Sequence, residues 1–98
     1  MFRITGGKGF RIKFKNGITI STQFGYGNYC DNHSKTEFTG LDVKCADCEV
    51  AIWDETEDWI TGQILNTLGI DNDGSVAGRI NPDQWADIVE KCKKYKES

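Results

Sequence analysis

The sequence predicts an α+β domain: an antiparallel sheet of about five strands packed against a C-terminal amphipathic helix. Three observations carry this. Phe10, Ile12 and Phe14 alternate with Arg11, Lys13 and Lys15, the period of two of a strand with one wet face. Asn16-Gly17 follows, and Ile18, Ile20, Thr22 and Phe24 then alternate with Thr19, Ser21 and Gln23. Asn-Gly supplies the positive φ angles of a type I′ hairpin turn. Near the C-terminus Trp85, Ile88, Val89 and Cys92 recur at i, i+3, i+4 and i+7, one stripe of a helix.

In chain order, the first element is the hairpin from Gly9 to Phe24. Residues 25–48 have no period and are rich in Gly, Asn, Asp, Ser and Thr; they read as a long loop, a length that in a compact domain points to function, disorder or a tether. Glu49 to Trp53 is apolar on both faces and reads as a central strand. Asp54 to Asp58 is a polar turn, and Trp59-Ile60-Thr61 returns as a fourth strand. Ile60, Ile64 and Leu68 have helical spacing, and Gly69 suits the position just past a helix end, which predicts a short helix over 62–68. Asn72-Asp73-Gly74 is a turn. Val76 to Ile80 is a short fifth strand weakened by Gly78. Asn81 as cap, Pro82 at the first position and Gln84 at the third open the last helix, 82–95. The expected inward face is Phe10, Ile12, Phe14, Ile20 and Phe24, roofed by Trp85 and Ile88, with Trp53 and Trp59 also available to fill the core.

The 98 residues leave room for one domain, 1–98, with one core. No apolar run approaches the roughly 20 residues of a membrane span, and Met1 to Gly7 holds no apolar signal segment, so the expected setting is a reducing cytoplasm. The net charge of −3 conceals a basic start (Arg3, Lys8, Arg11, Lys13, Lys15), a basic end (Lys91, Lys93, Lys94, Lys96) and an acidic middle at Asp54, Glu55, Glu57 and Asp58. An acidic surface repels nucleic acid and attracts basic grooves; such a run also serves as an ordinary solvated face. Arg11, Lys13 and Lys15 on one strand face are the argument for nucleic acid, but the negative chain favours a solvated edge.

Cys30, His33, Cys45 and Cys48 form two pairs, each spaced by two residues, across the long loop. Thiolate and imidazole ligands in that spacing suit a structural zinc, which would also tie the loop down. The alternative is ordinary thiols and a surface histidine. A redox dithiol at Cys45/Cys48 would need a helix N-terminus, whereas a strand follows. Tyr26, Asn28 and Tyr29, in the glycine-rich stretch after the first hairpin, are candidates to cradle a nucleotide by stacking; packed turn tyrosines are the plainer reading. Asp71-Asn72-Asp73-Gly74 lacks the outer ligands of a calcium loop and reads as a turn. With one histidine, no nucleophile elbow and no pocket-tuned carboxylate pair, the expectation is no enzyme.

The run Gly9-Phe10-Arg11-Ile12-Lys13-Phe14-Lys15-Asn16-Gly17 through Ser21-Thr22-Gln23-Phe24-Gly25-Tyr26-Gly27-Asn28-Tyr29-Cys30-Asp31-Asn32 contains the pattern F-x-N-G-x-T-x-S-x-Q-F-G-x-G-N-Y-C-x-N. It resembles a group of small bacteriophage-encoded proteins. The likeness continues in Glu49 to Trp53 and in Ile80 to Gln84, and does not extend to Cys45 and Cys48. The resemblance implies a phage origin, a host-cell cytoplasmic setting and, since small acidic phage proteins commonly inhibit host defences, an inhibitor of that kind. The leading expectation is a non-enzymatic binder that blocks a host defence protein, such as a CRISPR effector. It would occupy that protein's basic nucleic-acid groove through Asp54, Glu55, Glu57 and Asp58, with residues 25–48 supplying shape. The alternatives are a nucleotide-signal sponge using Tyr26, Asn28 and Tyr29 at a homodimer interface, a zinc-stabilised interaction module, and a virion or regulatory accessory protein.

Overall fold

The computed structural model describes residues 2–4, 9–24 and 46–95. Five strands form one antiparallel sheet in the order β1-β2-β3-β4-β5: β1 (Phe2–Ile4), β2 (Gly9–Lys13), β3 (Thr19–Gln23), β4 (Cys48–Trp53) and β5 (Val76–Ile80). Helix α1 (Thr61–Thr67) lies between β4 and β5, and α2 (Pro82–Lys94) closes the chain. The fold is α+β, as the sequence predicts, and β2 to β5 are predicted strands. Two differences stand out. Phe2–Ile4 adds an edge strand too short for its alternation to be read, and Trp59-Ile60-Thr61 is not a strand.

Register decides which face is buried. Phe10 lies opposite Thr22 and Ile12 opposite Ile20; Ile20 then faces Ile52, and Thr22 faces Val50. These residues share one face with Cys48, Ala77 and Ile80, and both helices pack there through Ile64, Leu65, Ile88 and Cys92. Ile20 and Ile52 are fully buried. Phe14 and Phe24 are only partly buried against the core, and Ile18, rather than either phenylalanine, supplies the inner side chain at the turn end of β3. Trp85 anchors α2 on the sheet: its Nε1 donates to Thr22 Oγ1 at 2.8 Å, and its ring meets Phe10 edge-on at 6.2 Å. A buried hydroxyl on an otherwise apolar sheet face thus finds its partner in the indole.

The first hairpin closes differently from the predicted type I′ turn. Gly17 N–H donates to Phe14 O at 3.0 Å and Phe14 N–H to Ile18 O at 2.9 Å, and positive φ is found at Gly17 (88°) but not at Asn16. This is a type I turn followed by a left-handed residue, the three-residue hairpin loop. Asn16 is thereby released for another task. Its Oδ1 accepts from Ile18 N–H at 3.1 Å, and its Nδ2 donates to Cys92 O at 2.8 Å and Tyr95 O at 3.2 Å. The last carbonyls of a helix run short of donors; Cys92 O accepts from Tyr95 N–H at 3.2 Å, and a side chain in the opposite hairpin adds a second donor at this end.

The chain leaves the sheet after Trp59 because Thr61 does the work of a strand backbone. Its Oγ1 accepts from Ile52 N–H at 2.9 Å and donates to Ser75 O at 2.7 Å, bridging β4 and the start of β5 from the first turn of α1. With those groups satisfied, Ile64 and Leu65 can turn into the core as a helix face. Gly69 N–H to Asn66 O and Ile70 N–H to Leu65 O end α1 in a Schellman motif, with Gly69 at φ 70°. Gly78 and Arg79 together oppose Glu49, a bulge between the rungs Val50–Ala77 and Cys48–Ile80. Asn81 and Gln84 make the reciprocal capping box, as their spacing predicts. The turn at 72–74 uses its own oxygens: Asp73 Oδ1 accepts from Val76 and Ser75 N–H, which lowers its pKa, Val76 contributing most.

Asn16→Ala removes the cap on α2 and leaves the turn's φ angles allowed. The expected loss is about 1–2 kcal/mol of unfolding free energy by urea denaturation, with Asn16→Asp at least as costly because a carboxylate would then face carbonyl oxygens.

Candidate functional site

The acidic segment is a structured loop. Trp53 and Trp59 pair across a single antiparallel bridge. Between them Glu57 N–H donates to Asp54 O at 3.0 Å and Asp54 N–H to Asp58 O at 2.9 Å. The geometry repeats the first hairpin loop, a type I turn and a left-handed residue, but the left-handed position is held by Glu57 at φ 67°. Asp54 is not a surface charge. It is buried, and its Oδ1 accepts from Thr56 N–H, Thr56 Oγ1 and Asp58 N–H at 2.7–3.0 Å. The expectation of four exposed carboxylates is therefore corrected to three: Glu55, Glu57 and Asp58. Glu55 also touches the first hairpin, since a side chain at Gly17 would meet its Cβ at 2.8 Å. The two turns thus lie together at one end of the sheet.

The sheet face opposite the helices carries Arg11, Lys13, Thr19, Ser21, Ala51 and Trp53, by the same register that buries Ile20 and Ile52. The Arg11 guanidinium sits over the Trp53 ring, 5.1 Å from its centroid. It reaches across β3, where Thr19 and Ser21 are small enough to leave room and are buried beneath. Arg11 Nε is sealed from solvent and makes no hydrogen bond among the described residues, an orphaned donor that the ring's π face offsets only in part. On the far side Trp59 is tilted 51° against Trp53 with centroids 5.6 Å apart. Trp59 is 51% exposed, the exposed large hydrophobic residue among those described. The three groups form a row, cation, ring, ring, whose outer member stands beside Glu55, Glu57 and Asp58.

Sequence reasoning placed the acids but not this row, and assigned Trp59 to the core. The available signal was the alternation itself, which sets Arg11 and Trp53 on the polar face of their strands. Tyr26, Asn28, Tyr29, Cys30, His33 and Cys45 lie outside the described residues. Cys48, the described member of the predicted zinc set, is a buried core residue opposite Ile80. Among the described residues no group of three His, Cys, Asp or Glu side chains comes together to hold a metal. Cys92 is fully buried, and burial pushes its thiol up to about 12. A raised pKa favours the folded state below the ordinary thiol range and loses that advantage as pH climbs toward 12.

A cleft of about 300 Å³ opens between the sheet end and the start of α2, lined by Phe10, Phe24, Cys48, Ile80, Pro82 and Trp85 among others. Its volume is at the lower limit for a small-molecule site. No described helix is long and apolar enough to cross a membrane. No family model, curated protein or solved structure matches the chain.

Glu57→Gly should raise stability by about 0.5 kcal/mol in thermal or urea unfolding, because glycine takes the left-handed position without the side-chain penalty, less its larger unfolded-state entropy. Cys92 should resist iodoacetamide in the native protein at pH 8 and react on unfolding, as read by peptide mass mapping.

Proposed function

We propose that the chain is a non-enzymatic protein-binding module whose working surface is Trp59 with its flanking carboxylates Glu55, Glu57 and Asp58. The observation that carries this is Trp59. A large ring half out of water, held in orientation by Trp53 and rimmed by charge, has the composition of an interface anchor. A domain with a thin stability margin forgoes the burial of that ring, and the loop beside it keeps a glutamate where glycine would be less strained. Trp supplies contact area at low entropic cost, and the acids supply orientation and association rate.

Combined with the resemblance to small phage proteins, the fuller version of this reading is an inhibitor acting in the host cytoplasm. It docks on a host defence protein that normally binds nucleic acid, and its carboxylates occupy the place of phosphates. Asp54 supports the loop from within and does not contact the partner.

The test compares the wild-type chain, Trp59→Ala and the triple Glu55→Lys/Glu57→Lys/Asp58→Lys variant as immobilised baits for host-cell lysate, with thermal unfolding as a check on folding. Wild type should retain a protein that both variants lose at least about tenfold, and retention should weaken with salt. A partner held equally by Trp59→Ala, or no partner for the wild type, overturns the reading.

A further inference from the structure

We propose that the group received on the open face of Trp59 is an arginine side chain from a basic segment of the partner. This rests on the protein-binding reading above and names the chemistry its site selects. The protein already contains half of the arrangement. Arg11 lies over Trp53 at 5.1 Å, Trp53 leans on Trp59 at 5.6 Å, and Trp59 is 51% exposed. Trp53 has its cation; the ring that remains open is Trp59. A second guanidinium there would complete a cation–ring–ring–cation row.

Charge decides between occupants. Glu55, Glu57 and Asp58 are all exposed on the loop that ends at Trp59. Next to them a nucleic-acid strand or an acidic peptide would be repelled, and an uncharged aromatic would leave the carboxylates unused. Asp58 adjoins Trp59 in the chain. Among the described residues its side-chain donor is Thr56 Oγ1, 3.2 Å from Oδ2, and that hydroxyl has one proton and lies closer, at 2.7 Å, to Asp54 Oδ1.

Arginine fits better than lysine for a geometric reason. A planar guanidinium can lie flat on an indole and still donate from its edge to a carboxylate, whereas an ammonium has no plane with which to do both. Repulsion from Arg11 is weak. The two cations would be separated by both rings, roughly a Debye length at physiological ionic strength, with three carboxylates nearer to the newcomer.

The experiment uses the full chain and three short peptides of equal length, Arg-Gly, Lys-Gly and Glu-Gly repeats, with a thymidine oligonucleotide as a fourth probe. Indole N–H resonances of the three tryptophans are followed: Trp59 and its neighbour Trp53 report the site, and Trp85, on the other face of the sheet, serves as the folding control. The Arg-Gly peptide should move the Trp59 resonance and bind about three- to fivefold tighter than Lys-Gly, the worth of the exposed carboxylate contact that a stacked guanidinium keeps and an ammonium does not. Trp59→Ala should erase that preference, Trp59→Phe should retain part of it, and Glu55→Gln/Glu57→Gln/Asp58→Asn should weaken both peptides and flatten the salt dependence. Equal binding of the two basic peptides, an Arg preference that survives in Trp59→Ala, or a Trp59 shift produced by the oligonucleotide instead, overturns the proposal. If the lysate partner still depends on Trp59 while the Arg-Gly peptide ignores it, this inference alone fails. If neither depends on Trp59, the protein-binding reading fails with it.

Discussion

The register that sets Ile20 against Ile52 and Thr22 against Val50 governs both faces of the sheet. Side chains alternate strictly along a strand, so a slip of one residue would send Ile18, Ile20, Val50 and Ile52 into water and bring Thr19, Ser21 and Ala51 under the helices. The penalty for that exchange fixes the pairing. It also fixes what is left over. Arg11, Thr19, Ser21 and Trp53 fall on the opposite face because they are the odd members of the same alternation. The Arg11–Trp53–Trp59 row is therefore held in place by the core beneath it. Rigid strand positions rather than loop tips orient two of its three members, which limits the entropy lost on binding.

Two polar side chains join elements that the sheet alone would leave loosely attached. Asn16 ties the β2–β3 turn to the end of α2, and Thr61 ties the start of α1 to both β4 and the chain entering β5. Each adds hydrogen bonds to backbone groups at an element's end, where regular pairing stops. The two hairpin loops share one turn geometry but fill its left-handed position differently, with Gly17 in one and Glu57 in the other. Glycine is the low-strain answer, and Asn16-Gly17 uses it where the loop has a structural task. The acidic loop departs from it at a carboxylate beside the exposed ring, an observed outlier of the sort that gathers at binding sites.

Much of the fold was legible because its signals are local. Period-two alternation gave β2 and β3, the apolar run gave β4, the short stretch between the turn at 72–74 and the cap at Asn81 gave β5, and Asn81-Pro82-Gln84 with Trp85, Ile88 and Cys92 gave α2. What misled was long-range. Trp59-Ile60-Thr61 has the β-branched and aromatic composition of a strand, but a threonine hydroxyl that reaches Ile52 and Ser75 lets the chain turn into a helix instead. Asn-Gly suggested a type I′ turn, and the need to cap α2 from 76 residues away is not visible in a four-residue window. For the site, the acids were legible as a charge run. The inward turn of Asp54 was not, since neighbouring carboxylates look alike until one of them accepts the loop's amides. Trp59 was assigned to the core because apolar composition favours burial; its exposure follows from a bridge that ends after a single rung.

An exposed tryptophan on a small domain invites self-association, and the placement of the charges bears on which contacts it can make. In a symmetric pair each copy's ring would meet the other's, bringing two sets of Glu55, Glu57 and Asp58 together. Like charges brought face to face at an interface cost several kcal/mol. The rim therefore opposes a homodimer through this face, as it opposes acidic partners and nucleic acid, while leaving cationic surfaces free to approach. Specificity is a difference between affinities, and repulsion of the wrong occupant contributes as much as attraction of the right one. On the proposed protein-binding reading the carboxylates and the ring would act as one device: the ring would provide contact area that many partners would accept, and the acids would restrict it to those that arrive with positive charge.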